Sequence, residues 1–114
     1  MWKAGRNKTG YFKCKLFGFA NVLVGIDCYI LKYPPGACVP PHTDLVTDSR
    51  HYRMNIVLKR ARRGGRFYMF SNRFKHRVII FRPDLIEHRV SQVTRGTRYV
   101  LSFGFAIRKF KRSG

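Results

Sequence analysis

The sequence predicts an all-β protein that forms one domain. Short segments rich in Val, Ile, Tyr and Phe recur along the chain, and turn-forming residues separate each from the next. No window combines a helical period of apolar residues with capping residues at its ends. The chain has 114 residues, which is the length of a single domain. Many short strands in a domain of this size favour an antiparallel sandwich or barrel, such as a jelly roll.

The segments with strand character can be read directly from the chain. In order they are YFKCKLF, GIDCYILKY, HYRMNIVLK, GRFYMF, RVIIFR, HRVSQV and TRYVLSFGFAI, and the turns PPG, RRGG, RPD and RGT lie between them. Residues 11–23 give the weakest strand prediction. Side chains alternate between the two faces of a strand. In HYRMNIVLK this places Arg53, Asn55 and Val57 on the inner face of the predicted barrel.

Positive charge dominates the composition. The chain has 24 Lys and Arg against five Asp and Glu, a formal net charge of +19. Basic residues concentrate at 59–66, at 73–77 and in a last group (Arg108, Lys109, Lys111, Arg112). Such a surface attracts polyanions, so the expected partner is nucleic acid, followed by a ribosomal protein or an acidic protein. Single-stranded DNA or RNA is an easier target than a duplex. The alternative is that the charge serves solubility alone.

The cysteines and the apolar runs bear on the compartment. The cysteines are Cys14, Cys28 and Cys38, an odd number without a CxxC spacing, which predicts free thiols in a reducing environment. The first ten residues lack an apolar signal core. No run of about 18 apolar residues occurs that could cross a membrane. We therefore expect an intracellular, cytoplasmic protein.

The stretch CVPPHTDLV contains two candidate metal ligands, His42 and Asp44. Residues two apart on a strand share a face, so both side chains can point into a barrel. A third ligand must come from elsewhere, and His88 is the candidate. Two histidines and a carboxylate leave three positions open on an octahedral Fe(II), although zinc accepts the same ligand types. By position alone, His51 and His76 remain rivals of His88.

The sequence after His88, HRVSQVTRGTRYVLSFGF, resembles the 2-oxoglutarate- and Fe(II)-dependent oxygenases, particularly the prolyl-hydroxylase-like branch. In that family a basic residue about ten positions after the second histidine binds the distal carboxylate of 2-oxoglutarate, and here it is Arg98. Ser102 would add a hydrogen bond from the same strand face. LKYPPGACVPPHTD resembles the segment that carries the H-x-D pair, with Tyr33 reaching the cosubstrate. Asn55 is a further candidate for cosubstrate or substrate contact.

The resemblance covers residues 26–107 of the single domain 1–114. It implies a double-stranded β-helix (jelly roll), near-minimal and with few or no helices, since the family's N-terminal helices have little sequence to occupy here. The implied activity is a dioxygenase that uses Fe(II), 2-oxoglutarate and O₂, with ascorbate as a supporting reductant. It would hydroxylate or demethylate a polyanionic substrate, such as nucleic acid or a protein associated with it. Two alternatives remain: a basic jelly-roll module that binds nucleic acid and keeps a vestigial metal site, and a cupin-like metal enzyme without 2-oxoglutarate.

The same alternation predicts an apolar outer face on the larger sheet. If Arg98 and Ser102 face inward, the outer face carries Tyr99, Leu101, Phe103 and Phe105, joined by Met54, Ile56 and Leu58 of a second strand. Exposed apolar patches of this kind usually mark an interface. We expect either a homodimer through this face or residues 1–23 folded across it, with the dimer favoured.

Overall fold

The computed structural model describes residues 2–4, 10–21, 23–43, 49–70 and 72–108. Every regular element within them is a β-strand, which confirms the all-β prediction. No helix long and apolar enough to cross a membrane occurs in these ranges. The strands are β1 (Trp2–Ala4), β2 (Phe12–Ala20), β3 (Val24–Tyr33), β4 (Val39–His42), β5 (Ser49–Lys59), β6 (Phe67–Met69), β7 (Asn72–Arg73), β8 (Val78–Phe81), β9 (His88–Val90) and β10 (Arg98–Arg108).

The strands form two antiparallel sheets. The larger has the order β1-β2-β3-β10-β5-β8 and the smaller has the order β4-β9-β6-β7. Strands distant in sequence lie side by side, since β10 pairs with both β3 and β5. The inner faces of the two sheets supply one hydrophobic core, as a two-layer β architecture requires. This is the predicted jelly roll.

Alternation along β10 shows how the sequence produces the two layers. Arg98, Val100 and Ser102 are buried between the sheets, and Tyr99 and Leu101 turn to the other face, as predicted. The core is completed by apolar residues from the smaller sheet, the strand β8 and the connecting loops: Val39, Phe67, Ile79, Phe81, Val90 and Val93. The inner face of β10 therefore carries polar groups into an otherwise apolar interior.

The N-terminal strands extend the larger sheet at its edge. Strand β2 pairs with β3, and β1 pairs with β2. The described part of residues 1–23 therefore does not fold across the outer face, and that alternative was wrong. Backbone hydrogen bonding accounts for this. As part of the sheet, β2 pairs with the edge of β3, whereas a segment folded across the face would leave the backbone groups of that edge unpaired.

The outer face of the larger sheet remains apolar and largely uncovered by the described residues. Phe17, Cys28, Phe103, Met54 and Ile80 occupy one row that crosses five strands in register. Ile80 is 70% exposed at one end of the row and Phe17 is 52% exposed at the other. Phe17 leans toward Phe103, with 6.3 Å between their ring centroids. The predicted apolar patch is therefore present.

The loop between β5 and β6 depends on a glycine that no other residue could replace without a backbone shift. Gly64 has a φ of +73°, in the region that favours glycine. A Cβ at this position would also collide with the backbone carbonyl oxygen of Gln92. The loop thus packs backbone to backbone against the segment between β9 and β10. This contact fixes where the basic residues of the loop can lie.

Candidate functional site

A cavity of about 360 Å³ lies between the two sheets. We call it the central cavity. Its lining includes six of the seven site residues predicted from the sequence: Tyr33, His42, Asn55, His88, Arg98 and Ser102. The seventh, Asp44, lies outside the described residues. The sheets thus bring together residues that are up to 69 positions apart in the chain.

The two histidines lie side by side on neighbouring strands of the smaller sheet. His42 ends β4 and His88 begins β9, and the two are register partners. Their ring centroids are 4.3 Å apart. Nδ1 of His42 lies 2.8 Å from the carbonyl oxygen of Pro40, and Nδ1 of His88 lies 2.9 Å from that of Ile86. Because a carbonyl oxygen can only accept, each Nδ1 carries a proton. In a neutral ring the lone pair then lies on Nε2, the tautomer in which a histidine can bind a metal through Nε2.

The remaining histidines fall in different places. His51, on β5, lines the central cavity, with its Nε2 3.4 Å from Nη2 of Arg53. His76 lies outside the central cavity and packs edge-to-face on Phe74. No three His, Cys, Asp or Glu side chains converge on a common point within the described ranges. A third protein ligand of these types for a metal held by the His42–His88 pair would therefore have to come from outside the described residues, where Asp44 lies.

Arg98 brings a buried positive charge into the central cavity. The residue is 6% exposed, and its guanidinium carbon lies 5.2 Å from the ring centroid of Tyr33. No described residue offers its guanidinium a carboxylate or a hydrogen-bond acceptor. Burial lowers the pKa of Arg98 and raises the pKa of Tyr33 to about 12. A buried cation without a counter-ion is costly, and an anionic ligand would offset that cost.

Ser102 belongs to a hydrogen-bonded network that crosses three strands. Its hydroxyl donates to Oδ1 of Asn55 (2.6 Å) and accepts from Nη1 of Arg53 (2.7 Å). Nη2 of Arg53 donates to both carboxylate oxygens of Asp27, at 2.9 and 3.0 Å. The proton of Ser102 is therefore directed at Asn55. Donation to a cosubstrate carboxylate would require the Asn55 amide to turn away.

The Arg53–Asp27 pair is a part of the site that sequence reasoning missed. Alternation places Arg53 on the inner face, but nothing in the sequence connects it with Asp27. Both are register partners of Gly104, which lies between them on β10. A Cβ at Gly104 would collide with Nη2 of Arg53 and would lie 2.6 Å from an Asp27 carboxylate oxygen. The ion pair forms because the intervening residue has no side chain.

Comparison with known proteins gives matches at the level of structure. No protein-family model and no curated protein matches the sequence. KdgF from a Halomonas species superimposes with a TM-score of 0.66 at 13% identity, over 96% of this chain and 87% of KdgF. The collagen prolyl hydroxylase of Paramecium bursaria Chlorella virus 1, solved with 2-oxoglutarate, superimposes with a TM-score of 0.60 at 19% identity. A prolyl-4-hydroxylase from Pseudomonas putida gives 0.57 at 24% identity.

The match to the two hydroxylases covers different shares of the chains. Each covers 77% of this chain, but only 62% of the viral enzyme and 53% of the bacterial one. The chain therefore spans a little over half the length of these enzymes. At such identities a structural match establishes architecture and leaves activity open, because one fold serves many functions. The chain has a jelly-roll fold that these two prolyl hydroxylases share.

Proposed function

We propose that this protein is an Fe(II)- and 2-oxoglutarate-dependent dioxygenase. One observation carries the proposal: a pair of histidines in the metal-binding tautomer shares a cavity with a buried arginine that has no counter-ion among the described residues. The first feature suits a metal and the second suits a carboxylate. An enzyme that binds a metal and a dicarboxylate together needs both. The fold shared with prolyl hydroxylases supports the same assignment.

The residues proposed to hold Fe(II) are His42, Asp44 and His88. The two imidazoles offer Nε2, and Asp44 follows His42 by two positions, so that an extended backbone would direct both side chains to one face. Two histidines and one carboxylate form the ligand set typical of non-haem Fe(II) oxygenases. The bound iron would supply the oxidative decarboxylation of 2-oxoglutarate by O₂ and the oxidation of a substrate C–H bond.

Arg98 is proposed to bind the distal carboxylate of 2-oxoglutarate. Its planar fork lines the central cavity and can donate two parallel hydrogen bonds to one carboxylate. Tyr33 packs beside Arg98 and keeps its proton, so its hydroxyl can donate to the same carboxylate. Asn55 and Ser102 would complete the contact after exchanging their mutual hydrogen bond for bonds to the ligand.

The substrate proposed for the oxidation step is polyanionic. The net charge is +19, because only five acids offset the 24 basic residues. The basic residues at 59–66 and 73–77 lie in and around the connections between the strands that form the cavity. Nucleic acid, or a protein that binds it, fits this field best. Hydroxylation is the expected outcome, and demethylation follows where the oxidised carbon is an N-methyl group.

Metal binding and turnover test the proposal together. Mn(II) should bind the wild-type protein, and Fe(II) with 2-oxoglutarate and ascorbate should yield succinate in the absence of a prime substrate. His88→Ala and Asp44→Ala should abolish both signals, whereas His76→Ala, outside the central cavity, should retain them. If the wild type forms no succinate, or if Mn(II) binding survives both ligand substitutions, the proposal is wrong. A metal bound without succinate formation would instead favour a binding module with a vestigial site.

A further inference from the structure

A second, smaller cavity lies beyond the central cavity. It has a volume of about 50 Å³. Besides Arg98, which it shares with the central cavity, it is lined by five exposed cationic side chains: Arg60, Arg66, Arg73, Lys75 and Arg77. We call it the basic cavity. The first two residues belong to the connection between β5 and β6, and the other three belong to β7 and the connection from β7 to β8. Two basic stretches that are separate in the sequence therefore meet at one place.

Backbone hydrogen bonds hold the two stretches together. The amide of Val57 donates to the carbonyl of Arg77 (2.8 Å), and the amide of Phe74 donates to the carbonyl of Phe67 (2.9 Å). The strands on either side are continuous with the two sheets, so the cavity is built on a rigid frame. A site carried by such a frame costs less conformational entropy on binding than a mobile loop does.

Two of the guanidinium groups are oriented by main-chain carbonyls. Nη2 of Arg60 donates to the carbonyl of Lys75 (3.1 Å), and Nη1 of Arg77 donates to the carbonyl of Val57 (3.2 Å). A guanidinium has five N–H groups, so each fork keeps most of its donors for a ligand. The side chains of Arg66 and Arg73 make no hydrogen bond to any described residue.

No carboxylate of a described residue offsets this charge. The described lining of the basic cavity has no acid. Within the described ranges, the ion pairs are Arg53–Asp27 and Arg82–Asp84, and neither involves a cation of this cavity. Six cations held together without a described counter-charge repel one another, and the arrangement becomes more favourable when an anion binds among them. The cavity therefore matches an anion that several donors can contact at once.

The cavity is small and opens to solvent, since five of its cations are exposed. Its volume of about 50 Å³ suits a compact group such as a phosphate. Further exposed cations on the same connection, Arg62 and Arg63, would meet neighbouring phosphates. Phe70, 60% exposed in the turn between β6 and β7, offers a surface on which a base can stack.

We propose that the basic cavity binds a backbone phosphate of a single-stranded nucleic acid. The inference rests on the polyanionic substrate class of the proposed function and gives it a location. It does not require iron or 2-oxoglutarate, because the five exposed cations of the basic cavity are not part of the lining of the central cavity. Arg66 and Arg73 are the residues to test, because their side chains can change without breaking a hydrogen bond to a described residue.

Salt dependence of binding provides the test. The affinity of a labelled single-stranded RNA oligonucleotide is measured by fluorescence anisotropy from 50 to 200 mM salt, without metal. Each phosphate contact contributes about 0.7 to the slope of log affinity against log salt for single strands. Replacing Arg66 and Arg73 with Gln should reduce the slope by up to about 0.7, the contribution of the one phosphate in the cavity, and weaken binding about tenfold at low salt. The control replaces Lys3 and Arg50, exposed residues outside the basic cavity, with Gln, and should retain most of the slope.

The remaining outcomes are also decisive. The Arg66/Arg73 variant should keep the wild-type melting temperature, and Arg60→Gln with Arg77→Gln should reproduce its loss of binding. Equal slopes in the Arg66/Arg73 variant and the Lys3/Arg50 control would overturn the proposal, and so would equal affinity for a poly-glutamate peptide, which would indicate an acidic protein partner. RNA binding with these effects but no succinate formation would leave this inference standing while the dioxygenase proposal fails.

Discussion

Burial acts in opposite directions on the charge states of Arg98 and Tyr33. It lowers the pKa of the arginine and raises that of the tyrosine, because in each case it penalises the charged form. The Arg98 guanidinium lies over the Tyr33 ring, which supplies a weak cation–π attraction in place of a counter-ion. An anionic ligand would supply the full negative charge that the ring lacks. The pair therefore combines a fixed positive charge with a neutral hydroxyl, both suited to a carboxylate.

Replacing Arg98 should separate cosubstrate binding from metal binding. Arg98→Ala removes a charge-assisted bidentate contact, so 2-oxoglutarate affinity should fall by about 1.5–3 kcal/mol while Mn(II) binding is kept. Arg98→Lys keeps the charge but lacks the planar fork, so its 2-oxoglutarate affinity should lie between those of the wild type and Arg98→Ala. Calorimetric titration with 2-oxoglutarate measures the effect. Wild-type affinity in Arg98→Ala would remove this residue from the site.

Tyr33 predicts a loss of stability at high pH. Its pKa is raised from 10.0 to about 12 in the folded protein, so the unfolded chain releases its proton first. The free energy of unfolding should therefore hold below pH 10 and decrease toward pH 12, by about 2–3 kcal/mol in total for a shift of this size. Urea denaturation at pH 9.5 and 11.5 measures this decrease. Tyr33→Phe is the control and should lose less stability over the same interval.

At the scale of the strand, β10 organises the site because it lies between β3 and β5 in register. Its inner face carries four residues in turn: the cation Arg98, the core residue Val100, the hydroxyl of Ser102 and Gly104, which leaves an empty space. The empty space allows side chains from the two flanking strands to meet above β10. Arg53 then bonds to Ser102 with one nitrogen and to Asp27 with the other.

Gly104→Ala should break this bridge. The added methyl group would occupy the volume in which Arg53 meets Asp27, leaving two partly buried charges without their partner. We expect a loss of about 1–3 kcal/mol in the free energy of unfolding, measured by urea denaturation. Gly25→Ala is the matched control on β3, because its Cβ would make only an ordinary contact with Ala106 (3.8 Å). Equal stability of the two variants would show that the ion pair does not depend on Gly104.

The period of two in each strand explains how much the sequence predicted. It correctly assigned the inner positions of Asn55, Arg98 and Ser102, because burial on one face forces alternation whatever the pairing partner. The partner strands themselves were not predictable, since β10 pairs with strands far away in the chain. The Arg53–Asp27 bridge and the meeting of two basic stretches both depend on that pairing. His51 shows the same limit, since alternation could not tell which of the histidines would line the central cavity.

At the scale of the whole molecule, charge and apolar surface lie on different parts of the protein. The basic cavity is built from the connections flanking β6, β7 and β8, whereas the outer face of the larger sheet is a continuous apolar surface across five strands. Ile80 and Phe19 are 70% and 61% exposed on that face. Apolar area of this kind is unfavourable in water, and pairing two copies of the face removes it from solvent.

We predict that the protein forms a homodimer through this face. Sedimentation velocity should give a dimer at micromolar concentration, and high salt should favour it by screening the repulsion between two molecules of charge +19. Ile80→Glu places a charge on the most exposed residue of the apolar row and should yield a monomer. Leu85→Glu alters an equally exposed leucine in the loop after β8 and should leave the dimer intact. A monomeric wild type at all concentrations would exclude the dimer.

Asn55, Phe67 and Arg98 line both the central cavity and the basic cavity, so ligands in the two would rest against the same three side chains. Equilibria joined in this way obey thermodynamic linkage, which is reciprocal: a bound phosphate changes the affinity for 2-oxoglutarate by the same factor as 2-oxoglutarate changes the affinity for the phosphate. Both ligands are anions and Arg98 carries a single charge, so the expected sign is negative cooperativity. Binding of an anion in one cavity would then favour release of the anion from the other, because both anions would contact the same three side chains.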